Sequence, residues 1–270
     1  MERITDMPQA LRVVAYHGTP LRAKEAFARQ LDFYARHYHS LDEDGAGRFV
    51  LGRPIEGVST KQPPLIISFD DGLLSNYEVA APLLEERGLI GWFFVPTELI
   101  GQPPAAQSAY CDAHEINIDA QDRDHASVRI AMSWAELSDL SRRGHAIGCH
   151  TATHRRMRGD LSETVVTREI VGAARALQEN LGRETLSFAW VGGEPDTYSR
   201  LVFQALPRVG IKFAFTTQSG LFRLDDDPLL IHRTVLDADM RYSTFRLKLA
   251  GLSDLLHAGR RARLERAMKQ

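Results

Sequence analysis

Two short apolar runs in this 270-residue chain end abruptly in side chains that bind metal ions. The first, residues 65–69, leads into two consecutive aspartates, Asp70 and Asp71. The second, residues 145–149, leads into His150. Apolar runs of this length that stop at such groups are typical of buried strands in α/β sheets and barrels, whose carboxyl ends carry the functional site. The feature therefore predicts an α/β fold with a site at one edge of its sheet.

The residue types at these strand ends predict an open site for one divalent metal ion. His154 follows His150 by four residues, so one helical turn or a tight loop can bring both imidazoles to one side. Consecutive strand residues point in opposite directions, so we expect one of Asp70 and Asp71 to bind the ion and the other to stay free as a base. Three protein ligands leave positions for water, as in catalytic metal sites. Each motif alone is also common in turns or ordinary polar positions, but their joint occurrence favours a metal site.

These segments resemble two motifs of the polysaccharide deacetylase family, also called carbohydrate esterase family four. Ser68–Gly72 matches its Thr/Ser-Phe-Asp-Asp-Gly motif, and His150–His154 matches its His-Ser/Thr-x-x-His motif. The resemblance implies that Asp70 is the general base. It also implies one bound zinc ion, with cobalt, nickel, iron or manganese as alternatives, held by Asp71, His150 and His154.

The resemblance covers roughly residues 11 to 235 of the chain. Val13–His17 is similar to the family's opening strand, Trp92–Thr97 to its second strand, and Ser133–Leu137 to the helix that precedes its histidine motif. The resemblance implies a single-domain, distorted (β/α) barrel of the polysaccharide deacetylase type, with the site at the carboxyl face of the strands.

Two later segments depart from the family's pattern. Ser187–Gly193 is similar to the motif Phe-Ala-Tyr-Pro-x-Gly, with Trp190 in place of Tyr and Val191 in place of Pro, and it lacks the Arg that orients the base in other members. Leu229–Val235 is the nearest match to the last motif, which implies His232 as a candidate general acid. The alternative for His232 is a half-buried histidine at a strand end.

Composition limits the classes of function. A 44% hydrophobic and 25% charged composition suits one large α/β domain, and a net charge of −2 gives no electrostatic basis for a nucleic-acid partner. Cys111 and Cys149 lie in separate segments and do not form a disulfide framework, and we expect Cys149 to be a small core residue. The first residues lack the apolar core of a signal peptide, and no run of about 18 apolar residues is present, so we predict a cytoplasmic protein.

Strands alternate with helices along the chain, which predicts parallel βαβ units. The predicted strands cover residues 13–16, 65–69, 90–95, 145–149, 186–190, 212–216 and 229–235. The predicted helices cover residues 23–36, 76–87, 134–143, 162–181 and 198–208, and an irregular stretch spans the glycines between residues 45 and 57.

We expect the barrel to occupy residues 1–245, with an insertion at 101–132 and a helical tail at 246–270. The insertion follows a strand end, so it should form a lid or wall beside the site. Cys111, His114 and His125 are candidate ligands for a second metal ion. We disfavour this second site because the spacing of these residues does not contain another strong pair of metal ligands. The tail combines leucines with arginines, and we expect it to pack on the barrel or a second subunit rather than contact a membrane.

Together these observations predict a metal-dependent hydrolase that removes an N-acetyl or other small N-acyl group from an amino sugar. The metal polarises the amide carbonyl and activates water, and Asp70 accepts the proton. A cytoplasmic enzyme meets small or carrier-linked sugars more readily than finished polymer. The alternatives are an amide hydrolase with a non-sugar substrate and a catalytically silent carbohydrate-binding barrel. A homo-oligomer is compatible with the sequence.

Overall fold

The fold is built around one mostly parallel β-sheet. A computed structural model describes residues 8, 10–118, 129–159 and 161–269. Within these ranges the strands are β1 (Ala10–Tyr16), β2 (His39–Ser40), β3 (Pro64–Phe69), β4 (Gly91–Val95), β5 (Ala146–Cys149), β6 (Ser187–Ala189), β7 (Phe213–Phe215), β8 (Leu221–Arg223) and β9 (Thr234–Val235). The main path runs β7-β6-β5-β4-β3-β1-β8, while β2 pairs with β3 and β9 pairs with β1.

Register brings the carboxyl ends of the central strands to one edge. Tyr16 of β1 lies beside Phe69 of β3, and Phe69 lies beside Phe93 of β4. Val95 of β4 in turn lies beside Cys149 of β5. The residues that follow these strands therefore emerge next to one another, as the apolar runs predicted.

The two ends of the sheet are linked by the segment at 231–235. Phe215 at the end of β7 forms a parallel bridge with Ile231, and β9 pairs in parallel with β1. These contacts curl the sheet into a distorted barrel. The expected α/β fold in a single domain is confirmed.

Helices cover the outside of the curled sheet. The described helices are α1 (Lys24–His37), α2 (Glu43–Val50), α3 (Ala81–Glu85), α4 (Thr97–Ile100), α5 (Pro104–Ala113), α6 (Trp134–Arg142), α7 (Glu163–Val166), α8 (Ala173–Leu181), α9 (Arg200–Ala205), α10 (Tyr242–Leu249) and α11 (Leu252–Lys269). π-Helical turns lead into α3 and α8, at Asn76–Ala80 and Thr167–Gly172. Short 3₁₀ turns occupy Leu21–Ala23, Pro195–Thr197, Leu206–Val209 and Pro228–Leu230. Among the described residues, no helix has the length and apolar character needed to cross a bilayer.

Strand alternation divides the core into two clusters. Odd residues of β3, such as Ile67, pack with Phe27 of α1 in the layer between sheet and helices. Ile66 faces the other way, into a smaller cluster with Trp92 and Phe94 inside the curl of the sheet. Both faces of β3 are thus buried, which explains its continuous apolar sequence. Because side chains alternate along a strand, the even-numbered residues of β3, and Asp70 directly after it, point toward the interior of the barrel.

Besides the π turns within the predicted helices 76–87 and 162–181, the structure differs from the sequence-based prediction in the following places. Residues 43–50 form α2 where an irregular stretch was expected, because the Asp42 side chain caps the helix by accepting a hydrogen bond from Gly45 N. The predicted strand 229–235 begins with a 3₁₀ turn, and only Thr234–Val235 is a strand. Strands β2 and β8 were missed because segments of two or three residues carry no periodic pattern.

The C-terminal tail packs on the barrel along one face. Leu264 and Met268 of α11 are buried, and Asp254 of the same helix forms an ion pair with Arg12 of β1 at 2.9 Å. Leu255 and Leu256 are exposed on the same helix. The division of the chain near residue 245 stays a prediction.

Candidate metal and catalytic centre

Three buried side chains from two strand ends form a compact group of metal-binding atoms. Asp71 follows β3, His150 follows β5, and His154 comes after the tight turn that continues from it. One ligand atom from each lies within 4.8 Å of the others. His150 Nε2 is 3.6 Å and His154 Nε2 is 3.2 Å from Asp71 Oδ1. The structure therefore brings together the three predicted ligands.

Backbone carbonyls fix the orientation of both imidazoles. His150 Nδ1 lies 2.8 Å from Ala189 O, and His154 Nδ1 lies 2.8 Å from His114 O. A carbonyl oxygen only accepts, so Nδ1 carries the proton in each ring and donates it. Nε2 of each ring then faces Asp71, which is the arrangement that supports metal-ligating histidines.

The backbone around these ligands is strained. Asp71, Thr151 and His154 have φ values of 73°, 64° and 60°, in the left-handed region that residues with a Cβ avoid. Such conformations cost on the order of 1–3 kcal/mol each and persist only where the surroundings enforce them. Gly72 also has a positive φ, of 67°, and a Cβ there would lie 3.0 Å from a Val95 methyl carbon. The turn after β3 therefore requires glycine at this position.

These residues fit a divalent ion. Asp71 Oδ1 is buried and has no hydrogen-bond partner among the described residues, although buried carboxylate oxygens are normally paired. Burial opposes its charge, but the neighbouring His154 holds the pKa of Asp71 below its ordinary value. Burial lowers the pKa of His150 to about 4, so this imidazole is neutral near pH 7 and its lone pair is free. One carboxylate and two imidazoles are a donor set for zinc and related borderline cations.

Asp70 is held by a buried arginine, Arg233. Arg233 Nη1 and Nη2 donate to the two carboxylate oxygens of Asp70 at 2.7 and 2.8 Å. The guanidinium also donates to Thr216 O at 3.0 Å and Ser68 Oγ at 3.2 Å. Burial works to raise the pKa of Asp70, but the charge and hydrogen bonds of Arg233, together with the nearby His150 and His17, keep the pKa below the ordinary value. Asp70 is therefore an ionised carboxylate in a fixed plane, with lone pairs left to accept a proton.

Sequence reasoning missed Arg233. The segment Ser187–Gly193 lacks the base-orienting arginine of other family members, and the sequence did not indicate which residue replaces it. The arginine arrives instead from residues 231–235, which join the two ends of the sheet. The available signal was the pair His232-Arg233, because adjacent residues in an extended segment face opposite sides and only one of them can point into the barrel.

The structure does not bring His232 to the candidate centre. Its Nδ1 is hydrogen-bonded with Thr216 Oγ1 at 2.9 Å, and its Nε2 lies 3.4 Å from Glu265 of α11. Burial lowers the pKa of this imidazole. His232 is not among the residues that line the cavity at Asp70 and Asp71. Its geometry matches the alternative of a strand-end histidine with structural partners.

A cavity of about 300 Å³ opens over Asp70 and the three ligands. Its other walls include His17, Trp190, Thr217, Arg156, Glu115 and Asn117. Glu115 and Asn117 belong to the 101–132 insertion, which also supplies the carbonyl that orients His154. The insertion thus contributes directly to the site.

No second metal cluster occurs among the described residues. Cys111 is fully buried, and His114 stacks on Tyr110 with ring centroids 4.1 Å apart. His125 lies outside the described residues.

Residues 57–214 match the profile of the family described as polysaccharide deacetylase. The chain belongs to the polysaccharide deacetylase family. This confirms the resemblance carried by the two motifs, and membership supports a carbohydrate deacetylase, a hydrolase that acts on an amide bond. A relative is YxkH of Bacillus subtilis (strain 168), which is 21% identical over 247 residues, covering 89% of this chain and 76% of YxkH.

Solved structures share the fold. The Streptococcus pyogenes deacetylase PplD in complex with acetate superposes with a TM-score of 0.68 at 17% identity, over 90% of this chain and 99% of PplD. IcaB from Ammonifex degensii superposes with a TM-score of 0.64 at 21% identity, over 90% of this chain and 97% of IcaB.

Proposed function

We propose that this protein is a metal-dependent hydrolase that removes an N-acetyl or other small N-acyl group from an amino sugar in a small or carrier-linked substrate. One observation carries the proposal: an open group of three metal-binding side chains shares a cavity with an ionised carboxylate that an arginine holds in place. Asp71, His150 and His154 would hold the ion. A bound divalent ion supplies polarisation of the amide carbonyl and a lowered pKa for water.

The chain's own residues account for the remaining chemistry. Arg233 fixes the carboxylate plane of Asp70 and keeps it ionised, so Asp70 is ready to accept a proton from the attacking water. Each Asp70 oxygen still has a lone pair that Arg233 does not use. We do not assign the proton donor for the departing amine to His232, because its two ring nitrogens face Thr216 and Glu265.

The substrate class follows from the size of the cavity and the origin of its walls. A cavity of about 300 Å³ is at the lower end of the range for ligand sites. Glu115 and Asn117 of the insertion form part of its wall, which supports a short substrate over an extended polymer. The relative PplD was solved with acetate, the smallest acid that such a reaction releases from a common amino sugar. Zinc as the ion and an intracellular location stay predictions.

The silent binding barrel loses its main support in this arrangement. That alternative rests on the missing arginine of the third motif and on the uncertain general acid, and Arg233 beside Asp70 removes the first of these two reasons. An amide hydrolase with a non-sugar substrate stays an alternative, because the catalytic groups alone do not select the sugar.

Metal binding and turnover test the proposal together. Metal-free protein should take up about one zinc ion per chain, and Asp71→Ala, His150→Ala and His154→Ala should each lose it. Asp70→Asn should retain the ion but lose on the order of 10²–10⁴ in rate, as expected for a general base. Full metal retention in all three alanine variants would refute the ligand assignment.

A substrate panel tests the substrate class. The zinc-loaded protein is incubated with N-acyl sugar nucleotides, N-acyl glycosides of small aglycones, long N-acetylglucosamine oligomers and simple non-sugar amides, while free acid and free amine are measured. Turnover restricted to the oligomers would refute the small-substrate claim. Turnover restricted to the simple amides would favour the non-sugar alternative.

A further inference from the structure

A buried carboxylate, Glu169, supports the metal-binding turn from behind. Glu169 Oε2 accepts a hydrogen bond from Thr153 N at 3.0 Å, and Oε1 accepts one from Thr153 Oγ1 at 3.0 Å. The glutamate is 2% exposed. Thr153 immediately precedes the metal-binding residue His154. Both carboxylate oxygens of Glu169 thus hold Thr153, the residue next to His154.

In the described part of the chain, the charge of Glu169 is met by hydrogen bonds rather than by an ion pair. Among the residues that the structure describes, no cationic side chain forms an ion pair with it. The adjacent Arg168 binds both oxygens of Glu98, at 2.9 and 3.0 Å. A buried carboxylate is costly unless it is paired or hydrogen-bonded, and an apolar side chain would fill the same space without that cost. Its presence therefore indicates a positional role rather than a contribution to packing.

The turn needs such a restraint because its backbone is strained. Thr151 and His154 both have left-handed φ values, 64° and 60°. Neighbouring elements hold the start of the turn, where Glu98 N donates to Ala152 O at 2.8 Å. At its end, His114 O holds the His154 ring from the insertion side. Glu169 restrains Thr153, between these two points, from the side of the following helix.

Local helix geometry points Glu169 inward. The residue lies in the π-helical turn Thr167–Gly172, between α7 and α8. A π turn adds a residue to the helix, and since each residue of a helix advances it by about 100°, the turn changes which side chains face the barrel. Glu169 and Ile170 are the buried residues of this turn. Such turns are frequent at functional sites.

We propose that Glu169 is a positioning residue for the metal ligand His154 and acts through Thr153. This inference rests on the proposed metal site. Glu169 is not among the residues that line the cavity at Asp70 and Asp71. It fixes the peptide before His154, so that Nε2 stays directed at the ion while Nδ1 donates to His114 O.

Two substitutions at Glu169 separate hydrogen bonding from bulk. Glu169→Leu keeps most of the volume and removes both acceptors. Glu169→Gln retains both contacts, because its Oε1 can accept from Thr153 N while its Nε2 donates to Thr153 Oγ1. The affinity of metal-free protein for zinc is measured by competition with a chromophoric chelator. We expect Glu169→Leu to weaken zinc binding about 10–100-fold, the usual effect of losing support behind a ligand. Glu169→Gln should bind close to the wild type.

Leu177→Ala is the control for general destabilisation. Leu177 is fully buried in α8, about two turns beyond Glu169, and its truncation loosens the same helix without removing a hydrogen bond to the metal-binding turn. Its melting temperature and its zinc affinity are measured alongside those of the Glu169 variants. Equal zinc loss in Leu177→Ala and Glu169→Leu at equal melting temperature would show a general effect and overturn the proposal.

Thr153→Val provides a second route if Glu169→Leu does not fold. It removes the hydroxyl bond and leaves the amide bond, so its zinc affinity should fall below that of the wild type, but by less than the roughly 10–100-fold expected for Glu169→Leu. Where Glu169→Leu does fold, the loss of zinc affinity in the double variant should be smaller than the sum of the two single losses, because both substitutions act on one contact. Zinc affinity unchanged in both single variants would refute the role of Glu169.

Hydrogen exchange separates this inference from the proposed function. In metal-free protein, the amide of Thr153 should exchange faster in Glu169→Leu than in Glu169→Gln, whether or not zinc binds. A wild-type protein that binds no zinc would refute the proposed function, and the exchange result would then decide the role of Glu169 in holding the turn. Unchanged exchange at Thr153 in Glu169→Leu would refute that role independently.

Discussion

Replacing Arg233 with methionine should destabilise the fold and disable the base at the same time. Arg233 is fully buried, and Asp70 is 1% exposed. The change removes both hydrogen bonds to the carboxylate and leaves a charge without compensation in the barrel interior. Breaking a buried ion pair by removing one partner costs about 3–5 kcal/mol, so we expect a loss of this size in the free energy of unfolding at pH 7. Urea denaturation followed by circular dichroism measures it.

The pH dependence identifies Asp70 as the origin of that loss. In the wild type the pKa of Asp70 is lowered in the folded state, so its contribution to stability is present above the unfolded value of about 3.9 and lost as the pH falls through the folded value. Without Arg233, burial should raise the folded pKa above 3.9. The loss of stability in Arg233→Met should then become smaller as the pH falls through the raised pKa of Asp70, because the protonated carboxyl group carries no charge. The difference between the two proteins should therefore be smaller at pH 4.5 than at pH 7.

Arg12 offers a matched control. It is another buried arginine with a carboxylate partner, Asp254 of α11, away from the candidate centre. Arg12→Met should lose stability yet retain the rate per folded molecule, whereas Arg233→Met should lose rate on the order of 10²–10⁴, as for loss of a general base. The double variant Asp70→Asn/Arg233→Met should be more stable than Arg233→Met, because no buried charge is left. Equal stability of Arg233→Met and wild type at pH 7 would refute the reasoning.

Three further predictions concern buried titratable groups. His232→Gln should keep kcat/KM close to the wild type because its side chain bonds outside the cavity, and a loss of about 10²-fold would instead indicate a general acid. Burial raises the pKa of Cys149 to about 12, and Cys111 is also buried. Neither thiol should therefore react with a chromogenic disulfide reagent at pH 8 until the protein unfolds, and rapid labelling of the native protein would contradict this. Burial also raises the pKa of Tyr16 and Tyr34. Their contribution to the free energy of unfolding should therefore be fully present below about pH 10, the pKa of a tyrosine in the unfolded chain, and fall at higher pH. An ultraviolet titration of the folded protein should miss both rings, and titration of all seven tyrosines while the protein is still folded would refute this.

Much of the fold could be predicted because its strands are buried on both faces. Continuous apolar runs such as those of β3 and β5 result from that burial, and glycines at the ends of helices, such as Gly88 and Gly144, mark the boundaries between elements. Helix α2 could not be predicted, because Gly45 and Gly47 disfavour a helix by propensity and only the cap and tertiary packing overcome this.

The ligands of the candidate site could be predicted, but the partner of the base could not. Asp71, His150 and His154 lie in local motifs, each directly after a strand or within one turn of it. Arg233 is 163 residues from Asp70, and no local spacing connects them. Arg233 immediately precedes β9, which is only two residues long and comes after a 3₁₀ turn, so the inward-facing position could not be assigned from alternation. The choice between His232 and Arg233 needed the three-dimensional register.

The late position of Arg233 in the chain has a consequence for the synthesis of the protein. The three proposed ligands have all been added once the ribosome has passed His154, whereas Arg233 is added much later, in the segment that joins the two ends of the sheet. A chain interrupted between these points carries all three proposed ligands but lacks the group that keeps Asp70 ionised and aligned. We therefore expect the proposed hydrolysis only after the barrel is closed, which would couple it to the completion of folding.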